Sequence, residues 1–386
     1  MKQILLVLAA WLLGSTAGAV QDAPGGGSFE VRYGGRAVDA LPRELGPGAP
    51  MAASTWWPWA KENGYRLHLT EDGRVLVILP KKESGKKQLK LVGKVTAYFD
   101  EILPAPEREE PPAPAPPPPA EEGGEEGEDG EESWSFEWSD DGPPLDSETA
   151  VLIQARGVKE YESALRYAAE RYPYLESWLN AGLHYAGFHL ERPLAAVWVE
   201  EAEGLEEYDV ENELVHRLTH LLTVRRFDQQ PYWLTTGLAW HVESKLLKSI
   251  YCYPYRAEFV YETEHTSWEA DLRAAHKGST ALRMDEVVGL RRGTFTIAEA
   301  RNAWGAATFL ARHHTDGLAP ILEELRLLRD EKGIVRHGDG SWERVAGYEV
   351  SHVDQLAVLQ RHAGESFLTE LLAFYEKGKR YRPSSR

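Results

Sequence analysis

Two segments decide the fold: residues 213–222, which read ELVHRLTHLL, and residues 233–243, which read WLTTGLAWHVE. His216 and His220 are four residues apart. On a helix, side chains at that spacing lie about 40° apart around the axis, so both imidazoles face the same way and could share a metal ion. Any chemistry predicted for this chain starts from these two segments.

Together the segments resemble the gluzincin zinc metallopeptidases, especially the peptidase-MA-like domains of exported bacterial proteins. In that family one helix carries H-E-x-x-H and a second carries a pattern close to W-x-x-E-G-x-A-x-x-x-E. The resemblance spans most of residues 147–386 and implies a zincin-like fold in which two His and one Glu bind zinc and another Glu is the general base. The matching positions are His216, His220, Trp233, Leu234, Gly237, Ala239 and Glu243.

The chain departs from this family at the positions that perform the chemistry. Arg217 stands where the general base belongs, and Thr236 stands where the third zinc ligand belongs. A guanidinium cannot act as a base and repels a nearby cation. The resemblance then implies a vestigial site that keeps His216 and His220 as its ligand-type residues. We expect no bound cofactor, and zinc only where such a site is retained.

Two carboxylates near the vestigial site leave alternatives open. Glu213 lies one turn before His216 and could replace the missing ligand. Glu213 and Arg217 are also four residues apart in the order that favours a helical ion pair. Glu243, two turns beyond Thr236, suits contact with a ligand residue, or packing, better than metal binding.

These residues predict an exported pseudo-peptidase with a binding or scaffold role, whose cleft could hold a protein or peptide. One alternative is an active zinc-dependent peptidase with the rearranged ligands His216, His220 and Glu213. The other is a purely structural envelope protein.

The first residues have the features of a secretory signal peptide, assigned to residues 1–19. Lys2 supplies the positive start, and residues 17–19 (Ala-Gly-Ala) form a small-residue cleavage site. The apolar run at residues 4–13 is shorter than the ~20 residues that span a bilayer. An uncleaved anchor is the alternative. We predict export to the periplasm, the cell envelope or the exterior, with no membrane span after cleavage.

Residues 104–145 differ in composition from the rest of the chain. Between residues 107 and 141 there are 14 acidic residues and one basic residue, so this window carries −13 of the total formal charge of −18. The remaining −5 argues against nucleic-acid binding. The Pro, Glu and Gly content predicts a disordered spacer. Trp134, Phe136 and Trp138 alternate with polar residues, which predicts either a short docked strand or a linear motif for a partner.

The resulting architecture is α+β: a small N-terminal α+β domain at residues 20–103, the acidic linker at 104–145, and a zincin-like domain at 146–386. The last domain is expected to have a small sheet and a mainly helical C-terminal lobe. In the first domain we predict a hairpin of residues 65–69 and 75–79, then a helix over residues 89–103. In the last we predict strands at 150–154 and 193–199, a helix over 161–178, and helices capped by Asp209 and started by Pro231.

Overall fold

The fold is described from a computed structural model of the chain. The signal-peptide prediction, nearly all of the acidic linker, and the aromatic residues Trp134, Phe136 and Trp138 lie outside the described residues. The structure describes residues 29–105, 145–184, 187–200, 209–250, 268–281, 283–290, 296–336, 342–345 and 348–377.

A seven-stranded mixed sheet forms the centre of the molecule, with strand order β2-β1-β3-β4-β5-β7-β6. The three central strands β4, β5 and β7 run parallel to one another, while β6 pairs antiparallel with β7 at one edge. The strands are β1 (Val31–Tyr33), β2 (Arg36–Val38), β3 (Tyr65–Leu69), β4 (Val75–Pro80), β5 (Ala150–Ala155), β6 (Gly187–Leu190) and β7 (Ala195–Val199).

Both faces of this sheet are covered by helices, which is why β4 and β5 are buried along their whole length and are apolar except for Gln154. Helices α2 and α5 pack on one face, and α1, α3 and α4 pack on the other. These helices are α1 (Gly48–Asn63), α2 (Lys86–Ile102), α3 (Val158–Arg171), α4 (Glu176–Gly182) and α5 (Val210–Phe227).

The sheet joins the two halves of the sequence. Strand β4 comes from residues before the acidic linker and β5 from residues after it, yet the two pair in register, with Val77 opposite Leu152. Side chains of both segments also share one hydrophobic core. The boundary drawn from composition therefore separates two stretches of sequence that contribute to the same sheet.

The rest of the described chain is mainly helical and packs beyond α5. No helix among the described residues is both long and apolar enough to cross a membrane. The elements are α6 (Tyr232–Leu246), α7 (Trp268–Lys277), α8 (Met284–Val287), α9 (Ile297–His313), α10 (Thr315–Lys332), β8 (Ile334–Arg336), β9 (Trp342–Arg344), α11 (His352–Ala363) and α12 (Phe367–Lys377).

The mixed α+β class and the hairpin of β3 and β4 are confirmed, but the sheet is larger than the small one predicted. The helix expected over residues 161–178 is interrupted, because α3 ends at Arg171 and a 3-10 turn begins at Pro173 before α4. Proline lacks the amide hydrogen that would continue the helix. Strands β1, β2 and β6 have four residues or fewer, and the sequence analysis did not predict them.

Candidate functional site

Helices α5 and α6 begin where the sequence predicts. Asp209 caps α5, its Oδ1 accepting a hydrogen bond from the Glu211 amide at 2.8 Å. Pro231 immediately precedes α6. Both helices are buried almost throughout, so neither shows the one-sided polarity of a surface helix.

Gly237 is the point of closest approach between α6 and α9. A Cβ atom at this position would lie 2.6 Å from the Ala303 carbonyl oxygen and 3.0 Å from the Ala307 Cβ. Because glycine has no side chain, the backbones of α6 and α9 can pack in direct contact here.

Three imidazoles lie in a row between α5 and the sheet. The rings of His216 and His220 are 4.8 Å apart, and those of His220 and His189 are 4.6 Å apart. His189 comes from the edge strand β6, where it pairs with Ala196 of β7. Sequence reasoning missed His189, since a four-residue strand gives almost no periodic signal.

A buried carboxylate holds His216. Its Nδ1 lies 2.6 Å from Glu243 Oε1, and Glu243 Oε2 accepts a hydrogen bond from Asn212 Nδ2 at 2.7 Å. Burial lowers the pKa of His216 well below its ordinary value, and the Arg217 charge acts in the same direction. The neutral ring then donates from Nδ1 to Glu243. Its buried Nε2 has no hydrogen-bond partner among the residues that the structure describes.

Arg217 is also buried, with 3% of its surface exposed. Its Nε donates to Glu213 Oε2 at 3.1 Å, and its Nη1 donates to His189 Nδ1 at 3.1 Å. The i, i+4 ion pair that the spacing predicts is therefore present. Oε2 of the carboxylate that was considered as a substitute metal ligand is paired with this guanidinium.

Gly187 makes room for this ion pair. A Cβ atom there would lie 2.9 Å from Arg217 Nη2 and 3.0 Å from Glu213 Oε2. The backbone of β6 thus packs directly against the charged groups, with no side chain or solvent layer between them.

The remaining predicted site residues lie on α6. Thr236 is fully buried, and within the described part of the chain its Oγ1 has no hydrogen-bond partner. Trp240 packs near His216, at 6.1 Å between ring centroids. His241 faces away from His216 and contacts Tyr98 and Thr308.

This donor set does not fit a catalytic zinc ion. Such a site needs three protein ligands around an open position. Here Glu213 is bound by Arg217, Glu243 is bound by His216 and Asn212, and position 236 offers a neutral hydroxyl. Among the described residues, no group of three or more His, Cys, Asp or Glu side chains could hold a metal ion.

A cleft of about 180 Å³ opens beside the imidazole row. Its wall includes His189, His220 and Thr235, while His216, Arg217 and Thr236 are not part of its lining. Gln230 contributes a buried amide whose Nε2 donates to two backbone carbonyls, those of Phe227 and Leu322. Its Oε1 is buried and makes no hydrogen bond to any residue in the described ranges.

Comparison with known proteins leaves the site to be interpreted from its own geometry. No protein-family model matches the sequence, and the search of curated proteins finds no significant match.

Proposed function

We propose that this protein is an exported pseudo-peptidase: a non-catalytic binding or scaffold module that keeps a metallopeptidase-like helix pair and the cleft beside it. The helix pair is α5 and α6, and the cleft is the one lined by His189, His220 and Thr235. The proposal covers export, family descent and loss of catalysis together.

The observation that carries the proposal is the buried ion pair of Arg217 and Glu213. Moving two charges out of water costs several kcal/mol per ion, and their mutual attraction offsets this only when the pair is intact. A zinc ion beside His216 would have to recruit Glu213 and leave Arg217 unpaired in the same dry space. The ion pair therefore opposes metal binding. In addition, Arg217 stands at the position that the general base would occupy.

The cleft supports a binding role. Its lining includes the imidazoles of His189 and His220, and His189 belongs to the edge strand β6. An edge strand presents backbone donors and acceptors that a peptide can pair with. We infer that an extended peptide segment is the ligand, bound along β6 and against cleft-lining residues that include Gln230.

Metal analysis and peptide hydrolysis with the purified full chain test the loss of catalysis. We expect substoichiometric zinc after dialysis against zinc, and no cleavage of an unstructured peptide mixture. Stoichiometric zinc that disappears in His216→Ala but persists in His241→Ala would overturn the proposal in favour of a rearranged active site using His216, His220 and Glu213. His241 is the matched control because it is equally buried.

Binding of the full chain to a random peptide array tests the proposed peptide-binding role of the cleft. We expect the full chain to retain a subset of peptides and Gln230→Leu to lose them. The control Gln88→Leu removes a half-buried amide that pairs with Glu83, away from the cleft. Absence of peptide capture by the wild-type chain would favour a purely structural envelope protein instead.

A further inference from the structure

Another cavity, of about 430 Å³, lies inside the C-terminal helical region. Helices α7, α8, α9, α11 and α12 surround it, and its lining shares no residue with that of the cleft beside His220. Its volume falls within the range of about 300–1,000 Å³ that is usual for small-molecule sites.

The inner wall of this cavity is apolar and buried. Leu272, Met284, Val287 and Ala306 are each at most 6% exposed. At the rim, Leu372 is 46% exposed, so the cavity opens to solvent over an apolar edge. An aliphatic chain that packs against this wall is stabilised because its apolar surface leaves water. A polar ligand of the same size would lose its hydrogen bonds to water and find no partners on the apolar wall.

Asn302 is a polar residue of the buried wall. Asn302 is 7% exposed, and its Nδ2 donates to the Ala298 carbonyl at 2.7 Å. Its Oδ1 forms no hydrogen bond within the described ranges and lies on a residue that lines the cavity. A ligand would therefore meet an acceptor at this point, and a hydroxyl hydrogen could satisfy it.

The charged and titratable groups at the opening favour a neutral ligand. Arg283 and Asp285 form an ion pair with each other, which leaves the rim without a net charge. The ring of His276 stacks on Tyr375, with the planes 6° apart, and burial lowers the pKa of His276, which keeps it neutral. A carboxylate would face Asp285 and the Asn302 oxygen with no cation left for it.

We propose that this cavity binds a single-chain aliphatic alcohol or a lipid with an equivalent uncharged hydroxyl head. The chain lies among the leucine, methionine and valine side chains of the inner wall, and the hydroxyl donates to Asn302 Oδ1. This site is independent of the cleft, so it stands whether or not the cleft binds peptides.

Titration calorimetry of the full chain with 1-hexanol, 1-octanol and 1-decanol tests the proposal. Each methylene group that enters an apolar site should tighten binding by about fourfold, so each step in this series should tighten it by about fifteenfold. Decanoate should bind at least tenfold more weakly than 1-decanol. Affinities that do not depend on chain length would overturn the aliphatic assignment, and equal binding of decanoate would overturn the hydroxyl assignment.

Two variants locate the site. Ala281→Trp places a large ring at the half-buried mouth and should weaken 1-decanol binding at least tenfold, while the control Ala274→Trp, on the exposed side of α7, should not. Asn302→Leu should keep the dependence on chain length and lose the preference for 1-decanol over decanoate. Wild-type affinity in Ala281→Trp would place binding elsewhere and sink the proposal.

Discussion

The two cavities are built in opposite ways. The cleft beside His220 lies next to a polar network in which Arg217 makes hydrogen bonds of 3.1 Å to both Glu213 and His189. The cavity among the C-terminal helices is more than twice as large and is walled by aliphatic side chains. A buried ion pair tolerates almost no change of geometry, whereas an apolar wall with spare volume should tolerate added side-chain atoms. We therefore expect a substitution beside the ion pair to cost more stability than one in the wall of the apolar cavity.

The largest effect is expected at the buried ion pair. Arg217→Met removes the guanidinium that pairs with the fully buried Glu213 carboxylate, and breaking a buried ion pair typically costs about 3–5 kcal/mol. Urea unfolding of the variant and the wild-type chain gives the difference.

The double variant Glu213→Leu/Arg217→Met is the matched control, because it removes both charges. It should recover most of the lost stability, since apolar replacements of a buried pair are often neutral. A single-variant cost below about 1 kcal/mol would mean that water reaches Glu213 and that the pair is not the obstacle to metal binding that we infer.

Local spacing predicted this pair, but not the group that completes the network. The i, i+4 order of Glu213 and Arg217 predicted the contact that the structure shows. His189 reaches the site through antiparallel pairing of β6 with β7, a long-range contact that no periodicity encodes. Glu243 was expected near the site, but its hydrogen bond to His216 depends on how α5 and α6 pack.

The same distinction applies to the fold. Alternating and helical patterns within residues 65–103 correctly predicted β3, β4 and α2. Strand β4 pairs with β5, which follows the acidic linker in the sequence. Composition alone had predicted a domain boundary at this linker. Helix α1, which the sequence analysis did not predict, places Trp56 and Trp59 in the core.

Adding one methyl group beside the ion pair is the next largest change. Gly187→Ala would put a Cβ atom within 3.0 Å of both Arg217 and Glu213, and such overpacking costs about 1–3 kcal/mol. The control is Gly93→Ala in α2, where a Cβ would meet no described atom within 4 Å. Replacing glycine inside a helix should raise stability there by about 0.5–1 kcal/mol. Destabilisation by both variants to the same extent would contradict the close packing of β6 on the pair.

Acid should lower the free energy of unfolding through the protonation of His241. Burial lowers the pKa of His241 to about 3, and the nearby Arg312 and Lys245 act in the same direction. The unfolded chain, with an ordinary pKa of ~6.5, binds the proton first, so this contribution is complete above pH 6.5 and is lost as the pH falls towards 3. When the pH falls from 7 to 5.5, the free energy of unfolding should decrease by about 1 kcal/mol more in the wild-type chain than in His241→Gln. Unfolding curves at the two pH values measure this, and equal losses would show that His241 is not buried as a neutral ring.

The smallest effect is expected where the apolar cavity has room. Ala306→Met adds a flexible side chain to a buried position that lines about 430 Å³ of space, so the change in unfolding free energy should stay within about 0.5 kcal/mol. Gly187 cannot accept a single carbon at that cost, although both residues are buried. A loss above about 1 kcal/mol at Ala306, measured by urea unfolding, would mean that the cavity walls cannot accommodate added atoms. The two regions would then differ in polarity but not in packing, and an alkyl chain would have no space to enter.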